Sequence, residues 1–316
     1  MTTDDTDELV RLSGQIIQAG SKSFAAAARL FDPHTRASAY MLYAWCRHCD
    51  DVIDGQELGH RPRTGEAAPH DPIRALETLR QMTSDALDGK RTDDPIFAAF
   101  QLVVRRHDIP RRHPFELLDG FAMDVADRQY ETTEDTLSYC YHVAGVVGVM
   151  MSIIMGARDE DTLDRACDLG LAFQLTNITR DIIDDAAVGR LYLPRQWLRE
   201  ACIPPGEIAE HRHRGAVSGI AGRLLELADG YYDSSGAGIA RLPMQSAWAV
   251  ATARIVYSEI GREILRRGPQ AWDRRVSTSK AQKLAAVALG AATAARARAF
   301  GAGTIGRDAL WTRPRS

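Results

Sequence analysis

Asn177-Ile178-Thr179-Arg180-Asp181-Ile182-Ile183-Asp184-Asp185 lies inside a stretch, residues 160–185, whose apolar residues recur at three- and four-residue spacing. That period is helical, and residues four apart share one helix face, so Asn177, Asp181 and Asp185 form a ladder of oxygen donors pointing one way. A second acidic run, Asp50-Asp51-Val52-Ile53-Asp54, begins 127 residues before Asn177 and is also embedded in helical periodicity, which pairs Asp50 with Asp54. Crowded carboxylates repel one another and resist desolvation unless cations lie between them. Oxygen-rich sets of this kind suit Mg²⁺, which completes its octahedron with waters and substrate phosphates. Two such walls facing across a cavity would grip a diphosphate, so the expected fold brings two distant helices face to face.

Outward from these runs, helical periodicity continues over 6–19, 34–54, 73–89, 94–107, 114–129, 134–155, 160–185, 216–235, 243–267 and 278–300, and alternating strand patterns are scarce. Loop chemistry separates these stretches at Gly55 to Pro72, Ile109-Pro110, Gly189 to Pro194 and Ile203 to Gly206. No repeat or long linker interrupts the chain. The expectation is an all-α, single-domain bundle of about ten helices around a central apolar cavity, spanning residues 1–290. Residues 291–316 are expected to be a basic, flexible tail. The uncharged run from Val143 to Gly156 is shorter than the roughly 17–25 residues that cross a bilayer and reads as a buried core helix.

Composition excludes several function classes. Hydrophobic residues make up 45% of the 316, charged residues 26%, and the net charge is −3, which describes a globular enzyme and no nucleic-acid binder. Charge is distributed unevenly: nine Lys and Arg stand between Arg274 and the end against one acid, Asp308, leaving 30 basic and 41 acidic residues before them. A basic end of this kind predicts peripheral contact with an anionic membrane. Five cysteines, an odd number, imply reduced thiols and a cytoplasmic setting. The acidic N-terminus has no basic and apolar leader pattern, so the protein is expected to stay inside the cell, at most peripheral on the inner face of the membrane.

Context sharpens the two acidic runs. Met41-Leu42-Tyr43-Ala44-Trp45 is too apolar for a free surface helix, and Arg47, one turn before Asp50, offers the guanidinium that phosphate oxygens accept from in pairs. Neutralisation of Asp50 or Asp51 by Arg47 is the other reading of that residue. Three patterns stand in order: Arg47-x-x-Asp50-Asp51-x-x-Asp54; Tyr139-Cys140-Tyr141-His142-Val143-Ala144-Gly145-Val146-Val147-Gly148; and Gln174-x-x-Asn177-x-x-Arg180-Asp181-x-x-x-Asp185, followed by Arg190-x-Tyr192-x-Pro194. Together they resemble the squalene/phytoene synthases, which join two prenyl diphosphates head to head. The resemblance runs from about Gly20 to about Leu284. Gly20-Ser21-Lys22-Ser23-Phe24 and Tyr43-Ala44-Trp45-Cys46-Arg47-His48-Cys49 are similar to the bacterial phytoene synthase branch.

Carried over to this chain, the resemblance implies that Asp50, Asp54, Asn177, Asp181 and Asp185 ligate Mg²⁺ or Mn²⁺. It implies that Ser21, Ser23, Tyr43, Arg47, Gln174, Arg180 and Tyr257 contact diphosphate or substrate, and that Tyr139 stands near the reacting carbons. Where some relatives carry His, this chain has Gly20. The implied reaction is a transferase step of isoprenoid and carotenoid biosynthesis. Two geranylgeranyl diphosphates condense through a cyclopropylcarbinyl diphosphate to phytoene, with no NADPH. Carbocations demand a dry cavity, and Tyr139, Tyr141, Phe173 and Phe24 are candidate cation–π faces. Ala144, Gly145 and Gly148 share a helical face that either leaves room for a long chain or packs closely on another helix.

The alternatives are a dehydrosqualene or squalene-type synthase acting on farnesyl diphosphate, a class I terpene cyclase, and a non-catalytic lipid-binding or assembly subunit. Three further motifs are weak. Cys46-Arg47-His48-Cys49 lacks the second Cys pair of a zinc site. Gly301-Ala302-Gly303-Thr304-Ile305-Gly306 lacks the strand that precedes a dinucleotide-binding turn. His211-Arg212-His213-Arg214 reads as a solvated charge run.

Overall fold

The computed structural model describes residues 3–56, 71–301 and 306–315, with side chains from Asp5 onward. The expected Gly55–Pro72 loop and the Gly301–Gly306 turn fall largely outside the described residues. Thirteen α-helices and no strand occur among those described: α1 Thr3–Gly20, α2 Lys22–Ala28, α3 Pro33–Asp54, α4 Pro72–Leu87, α5 Pro95–His107, α6 Arg112–Val125, α7 Thr133–Cys140, α8 Val146–Ile154, α9 Glu160–Ala187, α10 Arg195–Glu200, α11 Arg214–Ile239, α12 Met244–Arg267 and α13 Lys280–Phe300. All ten expected helices are present. Two short ones, α2 and α10, were not expected.

Helix starts follow capping chemistry. Asp32, Asp71 and Asp94 each accept two backbone N–H bonds ahead of Pro33, Pro72 and Pro95, whose missing donor costs nothing in a first turn. Thr132 with Asp135 and Ser279 with Gln282 form reciprocal capping boxes that start α7 and α13.

The longest helix, α9, passes through the middle of the bundle, packed against α8, α11 and α12. It buries Leu171, Ala172, Leu175 and Ile178. Between α7 and α8 the chain makes one π-helical turn, Tyr141–Gly145, which inserts a residue into the helical register. There α8 crosses α9 with backbones nearly touching: a Cβ on Gly148 would lie 2.4 Å from the Ala166 carbonyl oxygen, and one on Gly170 would lie 2.5 Å from that of Ala144. Close helix packing therefore accounts for Gly148. Ala144 and Gly148 also line the central cavity, so both expected uses of this glycine face are realised. Residues Thr133–Ile154 are long and apolar enough to cross a bilayer, but 61% of the 18-residue apolar window within that span is buried inside the bundle.

The C-terminal segment departs from expectation. Residues 291–300 continue α13, and the residues after the undescribed 302–305 return to α9. Arg307 and Arg313 bond Asp164 at 3.2 and 2.8 Å, Arg307 also pairs with Asp168 at 2.7 Å, and Arg315 reaches Asp164 as well. Trp311 packs on Tyr141. Asp164 and Asp168, buried on α9, draw these arginines in, so this basic end docks where a flexible tail was expected.

Candidate active site

Three helical stripes converge on one cavity of about 1150 Å³. On α9 the stripe steps every fourth residue through Arg165, Leu169, Phe173, Asn177, Asp181 and Asp185. On α3 it passes from Ala39 through Tyr43 and Arg47 to Asp50 and Asp54. Across α7, the π turn and α8 it runs Tyr139, Val143, Val147 and Met151. Both acidic runs occupy the last turns of their helices, so α3 and α9 bring two carboxylate-bearing C-terminal ends together at one pole. Ala28, Phe31, Met155, Ile239 and Leu242 line the apolar remainder. All the residues carried over by the resemblance, Ser21, Ser23, Tyr43, Arg47, Asp50, Asp54, Tyr139, Gln174, Asn177, Arg180, Asp181, Asp185 and Tyr257, line this one cavity.

Acids at a helix C-terminus oppose the helix dipole, and neither α3 nor α9 carries a base in its last turn. Local stability rules are broken at both helix ends, which is expected where function sets the sequence. Arginines supply the countercharge. Arg47 bridges Asp50 at 3.1 Å and Asp51 at 2.9 Å, so the neutralising reading of Arg47 holds in this structure. Arg180 donates from Nε to Asp181 at 2.9 Å, and Arg275 reaches the same carboxylate at 2.8 Å. Arg190, in the turn after α9, holds Asp54 with both terminal nitrogens and so ties the two acidic helices together. Trp272 donates its indole N–H to the Thr179 carbonyl at 3.1 Å, which fixes the segment carrying Arg275 against α9.

Neutralisation is incomplete. Burial, opposed by Arg47 and reinforced by Asp54, raises the Asp50 carboxyl to about 6. Burial and then Asp181 raise Asp185 to about 7. The Oδ1 of Asn177 is buried with no hydrogen-bond partner. A carboxylate set short of positive charge, beside an orphaned amide oxygen, has the donor chemistry of a divalent hard cation. With the arginines holding the acids apart, no three acidic, His or Cys side chains among the described residues converge as a ready cage.

Beside this pole, the Tyr139 and Tyr192 phenols each donate to the Asp124 carboxylate at 3.2 Å and stack at 4.7 Å between ring centroids. Burial raises Asp124 to about 6 and lifts the Tyr139 phenol far above its usual range, so the phenol stays protonated. Elsewhere on the cavity wall the Phe173 and Phe24 ring centroids lie 4.3 and 5.3 Å from that of Tyr257, giving a continuous aromatic surface. Tyr141 does not join them. The π turn leaves it fully buried against His142 and Trp311, away from the cavity.

Ser21 caps α2 by accepting the Phe24 N–H at 3.3 Å, which sets the position of Ser23 and Phe24 on the cavity wall. At Gly20 a Cβ would fall 2.5 Å from the Tyr43 hydroxyl, so the Tyr43 phenol fills the space a side chain would take there. Asp124, Arg275 and Lys283 also line the cavity but have no counterpart in the sequence reading. Arg190 and Tyr192 were read only as part of a motif, with no role attached.

The profile of the family described as squalene/phytoene synthase matches residues 17–282. The chain is 53% identical over 300 residues to a phytoene synthase of Pseudescherichia vulneris, covering 95% of this chain and 96% of that one. It is also 53% identical over 298 residues to a 15-cis-phytoene synthase of Pantoea ananas, covering 93% and 94%. Among solved structures, a dehydrosqualene synthase in complex with ligand superposes with a TM-score of 0.81 at 26% identity, over 92% of this chain and 97% of that one.

Proposed function

This chain belongs to the squalene/phytoene synthase family, and we propose that it joins two geranylgeranyl diphosphates head to head, through a cyclopropylcarbinyl diphosphate, to give phytoene and two diphosphates. The observation that carries the reading is the meeting of two acidic helix ends, cross-linked by arginines, over one long apolar cavity. At about 1150 Å³ that cavity exceeds the roughly 300–1,000 Å³ of ordinary ligand pockets, as two long substrates require.

Asp50, Asp54, Asn177, Asp181 and Asp185 are the groups that would hold Mg²⁺. When bound, the metal supplies positive charge to the departing diphosphate. Arg47, Arg180, Arg190 and Arg275 exchange carboxylate partners for phosphate oxygens, which favours charge building on the leaving group over charge left on carbon. Diphosphate leaves with the C–O bonding pair, and the double bond of the second substrate attacks the allylic cation. Loss of one proton closes the cyclopropane. A second ionisation and rearrangement end in loss of another proton, which makes the central double bond without a reductant.

Tyr139, protonated and aimed by Asp124, stands at the polar pole, where it can bond the leaving diphosphate. Phe24, Phe173 and Tyr257 present ring faces to a cation, and the surrounding aliphatic wall keeps out the water that would quench it. Peripheral association with an anionic membrane on the cytoplasmic side belongs to the same proposal, since the product is a water-insoluble hydrocarbon. The test is incubation of the purified chain with geranylgeranyl diphosphate and Mg²⁺, without reductant. Phytoene in the organic extract supports the reading, and unreacted substrate opposes it.

A further inference from the structure

Helix α13 buries only Ala286, Gly290 and Ala294 of its residues, all against its neighbours in the bundle, and Trp248 of α12 anchors it by donating to the Val287 carbonyl at 2.8 Å. The rest of its surface is apolar and open, with alanines opposite the buried face and larger side chains to either side. Leu284, Leu289 and Phe300 are 72%, 57% and 84% exposed, three of the seven exposed large hydrophobic residues described. Ala281, Ala285, Ala288, Ala292, Ala295 and Ala299 are exposed with them. At 100° per residue, Lys280 and Arg298 border this strip on the Leu284 side, and Arg296 lies within it between Ala285 and Leu289. No acidic residue occurs from Lys280 to Phe300.

Four other cations of the basic end are engaged elsewhere. Arg275 pairs with Asp181, and Arg307, Arg313 and Arg315 pair with acids of α9. Beneath α13 lies a second, smaller cavity of about 220 Å³. It shares Ser23, Ala27 and Lys283 with the active-site cavity and reaches the surface at Leu284.

We propose that the outer face of α13 is the membrane-docking surface. Leu284, Leu289 and Phe300 enter the interfacial region of an anionic bilayer, the strip's cations meet lipid phosphates, and the small cavity beside Ser23 opens toward the acyl chains. The assignment of the lateral cavity as a passage rests on the hydrocarbon product proposed above; the docking face does not. Three features fit an anionic bilayer as the occupant. The strip carries three cations, Lys280, Arg296 and Arg298, it has no acid to repel lipid phosphate, and its large side chains, Leu284, Leu289 and Phe300, stand open to solvent.

The test uses the full chain in flotation with vesicles of phosphatidylcholine alone or mixed with phosphatidylglycerol. Alongside it run Leu289→Gln/Phe300→Gln and Arg296→Gln/Arg298→Gln, which alter residues outside both cavities. Wild-type protein should partition onto the mixed vesicles and be released by high salt. Each double variant should lose at least about tenfold in partitioning, while turnover in detergent micelles stays within about twofold of wild type. Partitioning of the Leu289→Gln/Phe300→Gln protein equal to wild type would overturn the proposal. So would sedimentation showing that this variant only dissociates a dimer, without change in vesicle binding, because the face would then be covered by a second copy. Loss of phytoene synthesis in micelles by the wild-type protein would count against the proposed reaction and leave the flotation result intact.

Discussion

Three carboxylates at the polar pole are held by arginines. Asp54 depends on Arg190, Asp181 on Arg180 and Arg275, and Asp50 on Arg47. Removing one carboxylate therefore subtracts a donor for the cation and frees an arginine. Asp50→Asn or Asp181→Asn should lower turnover about a hundredfold or more with the helical circular dichroism spectrum unchanged; near-normal rates in either would remove these residues from the metal set. A second residue sets how stability follows pH. His107 is buried, hydrogen-bonded at 2.8 Å to Ser38, and pushed down to about 4 by burial first and by the facing His34 next. Between its unfolded value near 6.5 and about 4, the unfolded chain takes up a proton that the folded chain refuses. Stability from this group is complete above about pH 6.5 and is lost as pH falls toward 4, by about 1–3 kcal/mol. Urea titrations at pH 7 and pH 5 should show a smaller drop in His107→Gln than in wild type. The acid ladders were legible because four-residue spacing declares a shared face. Asp124 and Arg275 were not, since a single carboxylate on one helix and an arginine in a polar loop acquire their roles only when α6 and the segment after α12 are folded against Tyr139 and Asp181.

Among the elements, the α8–α9 crossing carries the geometry of the site. The π turn at Tyr141–Gly145 lets the fourth-residue stripe from Tyr139 continue along α8 on the cavity wall while Tyr141 turns into the core. Gly148 and Gly170 then allow the backbones to meet. Gly148→Ala places a methyl carbon against the Ala166 carbonyl oxygen, a backbone atom that cannot swing away. Destabilisation of about 1–3 kcal/mol is expected, read as a lower thermal midpoint, with a fall in turnover as α8 withdraws from the cavity. A midpoint equal to wild type would show that the helices separate without cost. Periodicity found the long helices because each repeats its apolar face over several turns. It missed α2, seven residues long, and α10, six residues long, because neither completes two turns. The π turn shifts the register by a single residue and leaves no compositional mark.

For the molecule as a whole, the C-terminal segment and the central cavity decide the behaviour. A basic end read from composition alone appears free, but Asp164 and Asp168 wait for it on α9, about 140 residues away in sequence. Arg313 is nearly inaccessible, and Arg313→Ala would remove one of the three arginines on buried Asp164, leaving Arg307 and Arg315, a change expected to cost about 1–3 kcal/mol. Equilibrium unfolding measures this directly, and stability matching wild type would show that the docked end contributes nothing. Architecture and the charged cavity residues were legible because two helices carry the acids in one direction, whereas Tyr141, read as a cavity face, turns into the core. The docking of the end was not, because ion pairs between distant segments leave no local pattern. The central claim is that one cavity accepts two C20 diphosphates and closes the reaction by proton loss. Its most direct test is the purified protein with Mg²⁺, given geranylgeranyl or farnesyl diphosphate, with and without NADPH, with product mass and kcat/KM recorded. The account predicts phytoene from the C20 substrate regardless of NADPH and at least about tenfold lower kcat/KM for the C15 substrate, whose shorter chain leaves apolar wall uncovered at about 0.8 kcal/mol per CH₂. A strict NADPH requirement, or preference for farnesyl diphosphate, would contradict it.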